Sequence, residues 1–221
     1  MADALVKDLP RDLPSFLARF GTYAHCRAYL VDPDPRQLEG DVAADEAHVG
    51  GRRPGKRGRG AAGKTVVAGG TAAAPGDTKK RELGRLRLAT VALAAGADLE
   101  RFITANVAQG SAITTAGWRG YGGFAAAGYD HHAIGLARSW GQADQRLPAV
   151  HLVFGLAKRW LLGTHHGAVS AKYLQRYLDD YVFRFNRRRA KSPAHGFARV
   201  LQNAVRIPPA THRAIVAVGA T

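Results

Sequence analysis

The chain has 221 residues and a formal net charge of +15, because 32 lysine and arginine residues outnumber 17 aspartate and glutamate residues. With 46% hydrophobic residues, one cysteine and no long apolar run, the composition argues against disorder throughout, a membrane span, an internal disulfide and a cysteine-clustered zinc site. The positive charge favours an intracellular protein with a polyanionic partner, and the alternative is a merely basic, soluble protein.

The first 39 residues are predicted as a helical leader and a linker. Residues 1–30 contain one amphipathic segment, in which Leu13, Phe16 and Phe20 follow helical spacing. Acidic and basic residues interrupt its apolar ones, so it makes a poor signal peptide. Residues 31–39 hold two prolines and two aspartates and are typical of a linker.

Three strands are predicted next, at residues 41–49, 64–69 and 85–91. Because short connections join them, they indicate an antiparallel meander. Side chains alternate along a strand, so Asp45 and Glu46 in the first strand are expected on opposite faces of the sheet.

A basic loop separates the first two strands. Residues 50–64 contain no acid, and their glycines and proline disfavour both helix and strand. The charges of this loop are Arg52, Arg53, Lys56, Arg57, Arg59 and Lys64. They favour contact with phosphates over a solvated linker. A second cluster, at residues 184–191, makes an extended ligand such as duplex DNA a better fit than a small anion, and RNA fits equally well.

The second half of the chain alternates predicted helices and strands. Helices are predicted at 98–107, 121–127, 150–162, 170–189 and 195–205, and short strands at 111–115 and 132–136. From residue 206 onward the chain is predicted to be loosely ordered. This order predicts a mixed α/β sheet with helices packed on it.

Carboxylates that converge in space could hold the two divalent ions used for chemistry on nucleic-acid phosphates. Asp45, in mid-strand and next to the basic loop, is the natural first ligand, and Glu46 is a weaker candidate. The alternative for Asp45 is a strand carboxylate with a salt-bridge partner. His165 and His166 indicate a helix cap or a metal site, but two adjacent histidines rarely chelate one ion.

Several strings resemble, in order, the motifs of a bacterial insertion-sequence DDE transposase family. Residues 45–51, DEAHVGG, resemble its DE-x-[YH]-VGG opening, and residues 117–121, GWRGY, resemble part of its TDGWRGY motif. Residues 158–167, KRWLLGTHHG, are similar to its third block. Residues 173–188 resemble its closing helix, and the whole resemblance covers about residues 40–205.

The resemblance implies an RNase H-like domain over residues 40–205. In such enzymes three acidic or amide side chains bind two Mg²⁺ ions. Water, and then a DNA 3′-hydroxyl, attacks phosphodiesters at the transposon ends. The resemblance also implies DNA and a homodimer or higher oligomer as partners, no membrane, and a location in the bacterial cytoplasm with the nucleoid.

Two of the three implied ligand positions depart from the family pattern. Asp45 matches the first position. Ala116 stands where TDGWRGY has its aspartate, and Leu156 stands where the third block has an asparagine or glutamate. Neither side chain coordinates magnesium, so the departures argue against a two-ion site. Asp130 and Asp144 lie off these positions and are not expected to replace them.

The family's zinc ribbon and helix-turn-helix have no counterpart between the leader and the first strand, so no zinc is expected. The sequence predicts a transposase-type DNA-binding and recombination protein with impaired catalysis. Its predicted DNA contacts are Arg52, Arg53, Lys56, Arg57, Arg59, Lys64, Lys158, Arg159, Arg187, Arg188 and Arg189. The alternatives are an active enzyme with a different third ligand or one supplied by a partner, a non-catalytic regulator or dimer partner of an intact transposase, and a gene remnant that folds poorly.

Overall fold

The computed structural model describes residues 36–50, 63–73, 83–117, 119–134, 147–166 and 169–190. The predicted leader, nearly all of the basic loop and the predicted helix at 195–205 lie outside these residues. The described chain divides into two compact units, residues 36–178 and residues 179–190. The first unit contains the sheet and is the one that positions Asp45.

A five-stranded sheet with the order β3-β2-β1-β4-β5 forms the centre of the first unit. Its strands are β1 (Asp41–Val49), β2 (Thr65–Ala73), β3 (Leu83–Val91), β4 (Ala112–Thr115) and β5 (Asp130–Ala133). β1, β2 and β3 form the predicted antiparallel meander. β4 pairs in parallel with β1, and β5 pairs in parallel with β4. The predicted mixed sheet is therefore confirmed.

Within the described ranges, three helices follow the meander: α1 (Gly96–Asn106), α2 (Pro148–His165) and α3 (Ala171–Asn186). α1 and α2 lie on opposite faces of the sheet, as two adjacent glycines of β2 demonstrate. A Cβ atom built on Gly69 would meet Phe154 of α2, whereas one built on Gly70 would approach Phe102 of α1. With this strand order and helices on both faces, the structure confirms the predicted RNase H-like fold.

Some predicted boundaries differ from the observed ones. The predicted helix at 121–127 is a 3-10 turn at Arg119–Tyr121 followed by further turns, because two consecutive glycines, 122 and 123, disfavour a helix there. The predicted strand at 132–136 is β5, which begins two residues earlier because Asp130 pairs with Ala112 of β4. Such a short polar strand carries little periodicity of its own.

The predicted linker at 31–39 reaches into the first unit. Leu38 is buried in the core between the sheet and α1, and it forms a parallel bridge with Val107. The Gln37 side chain donates a hydrogen bond to the carbonyl of Thr104. The chain entering β1 is therefore fixed against the end of α1.

The outer edge of β3 is covered by one side chain of α3. Oε1 of Gln175 accepts hydrogen bonds from the backbone N–H and the hydroxyl of Thr90, at 2.7 and 3.1 Å. Nε2 of Gln175 donates to the carbonyl of Leu88, at 3.3 Å. The unpaired backbone groups of an exposed strand edge can pair with another chain, and the Gln175 amide occupies those of Thr90 and Leu88.

Replacing Gln175 with leucine is expected to lower the free energy of unfolding by about 1–3 kcal/mol, because the backbone groups of Thr90 and Leu88 lose these partners. Gln175→Glu keeps the acceptor and is expected to cost less. Urea denaturation of the two variants and the parent measures the difference. Equal stability of Gln175→Leu and the parent would contradict the role of this amide.

Among the described residues, none of the helices combines the length and apolar character that a membrane crossing requires.

Candidate functional site around Asp45

Asp45 lies in the middle of β1 on the face that α2 covers. Its Oδ2 lies 3.0 Å from Nε2 of His151 in the first turns of α2, a contact at ion-pair distance rather than an aligned hydrogen bond. The side chains of Asp45 and His151 are only 14% and 25% exposed. The structure therefore gives Asp45 a basic partner, and both side chains are largely shielded from solvent.

A glycine allows α2 to approach β1 this closely. Asp45 pairs with Gly69 of β2, so both residues present the same face of the sheet. The ring of Phe154 fills the space above Gly69, where a Cβ atom would lie 2.6 Å from Cζ of Phe154 and 2.8 Å from Cδ2 of Leu88. Since His151 lies one helical turn before Phe154, this packing also sets the position of His151.

Ala116 follows directly after β4, beside Asp45. The last paired residues of β1 and β4 are Ala44 and Thr115, and Asp45 and Ala116 are the residues that directly follow this pair. Neighbouring strands lie about 5 Å apart, and paired residues in parallel strands share a face. Gly117, with a φ of 70°, then turns the chain away. The structure thus brings Ala116 to Asp45.

Leu156 is not on the side of α2 that meets Asp45. A helix turns about 100° per residue, so Leu156 lies about 140° around α2 from His151. Lys158, seven residues from His151, lies only about 20° from it and shares its face. The side chain of α2 that contacts Asp45 is therefore His151, and Lys158 lies on the same side of the helix two turns further along.

Neither Asp130 nor Glu46 reaches Asp45. Asp130 pairs with Ala112, which in turn pairs with Asp41, so Asp130 lies four residues, or about 13 Å, from the level of Asp45. Glu46 faces the opposite side, where its carboxylate accepts a hydrogen bond from the buried Tyr121 hydroxyl. Asp144 lies outside the described residues.

Basic side chains lie near the carboxylate of Asp45 in the described part of the chain. Burial lowers the pKa of Lys158, the charge of Lys64 lowers it further, and the charge of Asp45 raises it. Lys64 directly precedes β2, whose first residue Thr65 pairs with Val49 at the end of β1. The charges of Lys64, at the entry to β2, and of Asp45, in the middle of β1, thus act on Lys158 in opposite directions.

The histidines predicted as a cap or a metal site occupy the end of α2. His166 is the C-cap residue in the left-handed conformation, with a φ of 51°. The ring of His165 stacks on Tyr177, with ring centroids 4.1 Å apart, and meets the edge of Trp160 at 5.3 Å. These contacts support the cap interpretation.

His131 lies in β5, where it pairs with Ile113 of β4. Its Nε2 is 2.9 Å from the hydroxyl of the fully buried Thr115, and its ring packs edge-on against Phe124. Burial, and then the charge of His132, lowers the pKa of His131. The contact with Thr115 helps to hold the end of β4 in place.

The predicted DNA-contacting residues fall into three groups. Arg52, Arg53, Lys56, Arg57 and Arg59 lie outside the described residues. Lys64, Lys158 and Arg159 are exposed in the first unit. In the second unit, the guanidinium groups of Arg187 and Arg188 lie 3.9 and 4.0 Å from the ring centroids of Phe183 and Phe185, and Arg189 is exposed. Arg187 also donates a hydrogen bond to the carbonyl of Phe183, and Arg188 donates one to the carbonyl of Phe185.

Sequence reasoning did not identify His151 or Gly69 as part of this site. His151 lies among apolar residues of a helix, and Gly69 is one of 26 glycines in the chain. The angular spacing of residues around a helix indicates that His151 and Leu156 lie on different sides of α2. Only the packing of α2 on the sheet determines which of these sides meets Asp45.

Comparison with known proteins gives one result. A family model described as the ISXO2-like transposase domain matches residues 37–186, which include every strand and helix described above. Searches of curated proteins and of solved structures give no match.

Proposed function

Because the chain belongs to the ISXO2-like transposase domain family, we propose that it is a transposase-type DNA-binding protein whose cleavage and strand transfer are impaired. The observation that carries this proposal is Ala116, an alanine beside Asp45 at the position of the family's second ligand. We also propose that it acts on DNA in the bacterial cytoplasm.

The side chains around Asp45 do not fit a pair of magnesium ions. Two ions about 4 Å apart require several oxygen ligands, and magnesium binds through carboxylates and waters. Here one carboxylate is accompanied by an imidazole and the positive charge of Lys158. Among the described residues, no group of three or more histidine, cysteine, aspartate or glutamate side chains could hold a metal ion. No step of catalysis is therefore assigned to a metal.

The third ligand position belongs to His151 in this proposal, not to Leu156. His151 contacts Asp45, whereas Leu156 lies on another side of α2. The third position thus retains a side chain that can bind a metal, and the main defect is the missing second carboxylate. A site with one carboxylate and one imidazole is expected to be catalytically weak.

DNA binding is expected to survive the loss of catalysis, because it depends on charge. The formal charge of +15 and the exposed Lys64, Lys158 and Arg159 support contacts to the phosphate backbone. Phosphate contacts carry no base sequence information, so the binding is expected to show little sequence preference.

A nicking assay tests this proposal. A supercoiled plasmid carrying the DNA that flanks the chain's own gene is incubated with the protein and Mg²⁺ or Mn²⁺. We expect no metal-dependent nicking above that of Asp45→Ala. Robust cleavage that Asp45→Ala abolishes would overturn the impairment.

Fluorescence anisotropy with duplex DNA in EDTA tests the binding part. With six to ten phosphate contacts, affinity is expected to fall by about 10³–10⁵ between 50 and 200 mM salt. Binding that does not change with salt, or absence of binding, would overturn the DNA-binding assignment.

Ala116 also favours a second candidate, a non-catalytic regulator or dimer partner of an intact transposase. Adding the chain to an active member of the family is then expected to reduce strand transfer at DNA concentrations that saturate both proteins. Unchanged strand transfer would contradict this candidate and leave the first one standing.

A further inference from the structure

We propose that Glu46 and Tyr121 are positioning residues, whose hydrogen bond holds the segment after β4 against β1 and thereby fixes residue 116 relative to Asp45. This inference rests on the proposed function, which assigns a ligand position to residue 116, and adds to it the contact that keeps that position in place. Glu46 is not a ligand itself, because it follows Asp45 in β1 and its side chain points to the opposite face of the sheet.

The segment that follows β4 is attached to β1 at both of its ends. At its start, Thr115 pairs with Ala44 of β1. At its end, the hydroxyl of Tyr121 donates a hydrogen bond to Oε2 of Glu46. The two attachment points on β1 are therefore the residues immediately before and after Asp45. The same contact joins the DEAHVGG string to the GWRGY string.

Residues 116–120 lie between these two attachments. Pairing of β1 with β4 ends at Thr115, and Gly117, with a φ of 70°, then turns the chain. Gly120 is a second glycine in this stretch, and glycine has more conformational freedom than any other residue. The attachment at Tyr121 limits this freedom, so position 116 is held from both sides rather than from β4 alone.

The ring of Tyr121 is held in place independently of its hydroxyl. Tyr121 is 2% exposed, and its ring packs edge-on against the fully buried Phe124, with ring centroids 5.3 Å apart. Both rings belong to a core cluster with Leu99 and Phe102 of α1. Tyr121→Phe is therefore expected to keep this packing and to remove only the link to β1.

Tyr129 provides a matched control in the same core cluster. Its ring also packs edge-on against Phe124, with centroids 6.5 Å apart, and it is 5% exposed. Its hydroxyl donates a hydrogen bond to the carbonyl of Val107, which lies outside β1. Tyr129→Phe thus removes the same atom from a comparably buried ring without changing a contact to β1.

Hydrogen exchange of the otherwise unaltered chain, measured by mass spectrometry, is the first test. Tyr121→Phe is expected to raise the exchange rate of peptides that span residues 112–121 about tenfold, because loss of the hydrogen bond makes local opening easier. Tyr129→Phe is expected to leave exchange in these residues unchanged. Equal effects of the two variants on this segment, or no effect of Tyr121→Phe, would overturn the proposal.

Mn²⁺ binding in the Ala116→Asp background is the second test, with free Mn²⁺ measured by electron paramagnetic resonance. Tyr121→Phe is expected to weaken Mn²⁺ binding about tenfold, as removal of an outer contact that orients a metal ligand commonly does. Tyr129→Phe is expected to leave the affinity unchanged. A purely structural role of the Tyr121 hydroxyl would instead give both variants the same effect. Ala125→Asp, at an exposed turn, controls for the added charge.

Conservative replacement of Glu46 tests the hydrogen bond itself in the same background. Glu46→Gln keeps an oxygen that can accept from Tyr121 and is expected to preserve the Mn²⁺ affinity. Glu46→Leu is expected to match Tyr121→Phe, and the two together are expected to cost no more than either alone. Additive losses would contradict the bond as the cause.

Failure of this inference differs from failure of the proposed function. If Ala116→Asp binds Mn²⁺ with an affinity that neither Tyr121→Phe nor Glu46→Leu changes, the positioning role is wrong and the assignment of residue 116 stands. If Ala116→Asp does not bind Mn²⁺, the ligand assignment behind the proposed function fails, and the exchange rates decide the positioning role alone. Circular dichroism melts identify any unfolded variant, and Glu46→Gln against Glu46→Leu then decides without the tyrosine variants.

Discussion

Ala116→Asp is expected to create a divalent-metal site that the parent chain lacks. The new carboxylate would stand about 5 Å from Asp45 on the same face of the sheet, with His151 already in contact with Asp45. A ligand that binds only the folded state stabilises it, by about 2.7 kcal/mol at one hundred times its dissociation constant. Denaturation in the presence and absence of Mn²⁺ is expected to show this gain for Ala116→Asp and none for the parent.

Two companion variants determine which residue of α2 completes this site. Adding Leu156→Asn to Ala116→Asp is expected to leave Mn²⁺ stabilisation unchanged, because Leu156 lies on another side of the helix. Adding His151→Ala is expected to remove most of it. If Leu156→Asn were required for Mn²⁺ binding, the third position would belong to residue 156 and the assignment of His151 would be wrong. Ala125→Asp serves as the charge control.

Gly69→Ala is expected to destabilise the fold by about 1–3 kcal/mol, the usual cost of overpacking a filled core. The added methyl group would lie 2.6 Å from the Phe154 ring and 2.8 Å from Leu88, so α2 or both side chains must move. Urea denaturation measures the loss. Gly70→Ala on the opposite face is the matched control and is expected to cost less, because its nearest contact would be 3.1 Å, to Leu38.

The same clash is expected to disturb the site. If α2 moves away from β2, His151 moves away from Asp45, so Gly69→Ala in the Ala116→Asp background is expected to reduce Mn²⁺ stabilisation. Phe154→Leu removes the ring atoms that the methyl group meets and is expected to recover part of the loss in a double-mutant cycle. Additive effects of Gly69→Ala and Phe154→Leu would contradict the contact as the cause.

The strands of the meander and the long helices could be predicted from the sequence because their patterns are local. The strand predicted at residues 41–49 is β1, which spans Asp41–Val49 as expected. Helical spacing predicted α2 and α3 with ends within a few residues. The bounds of β5 could not be predicted as well, because that strand depends on pairing with β4 rather than on its own residues.

The sequence by itself determined the family, the positive charge and the presence of alanine at position 116, because each of these is a property of residue identity and order. Only the tertiary structure decided which side chains meet Asp45. Register between β1 and β4 brings Ala116 to it, and the packing of Phe154 on Gly69 turns His151, rather than Leu156, toward it. The physical reason is that a helix presents different residues to a sheet depending on its rotation, which contacts distant in sequence determine.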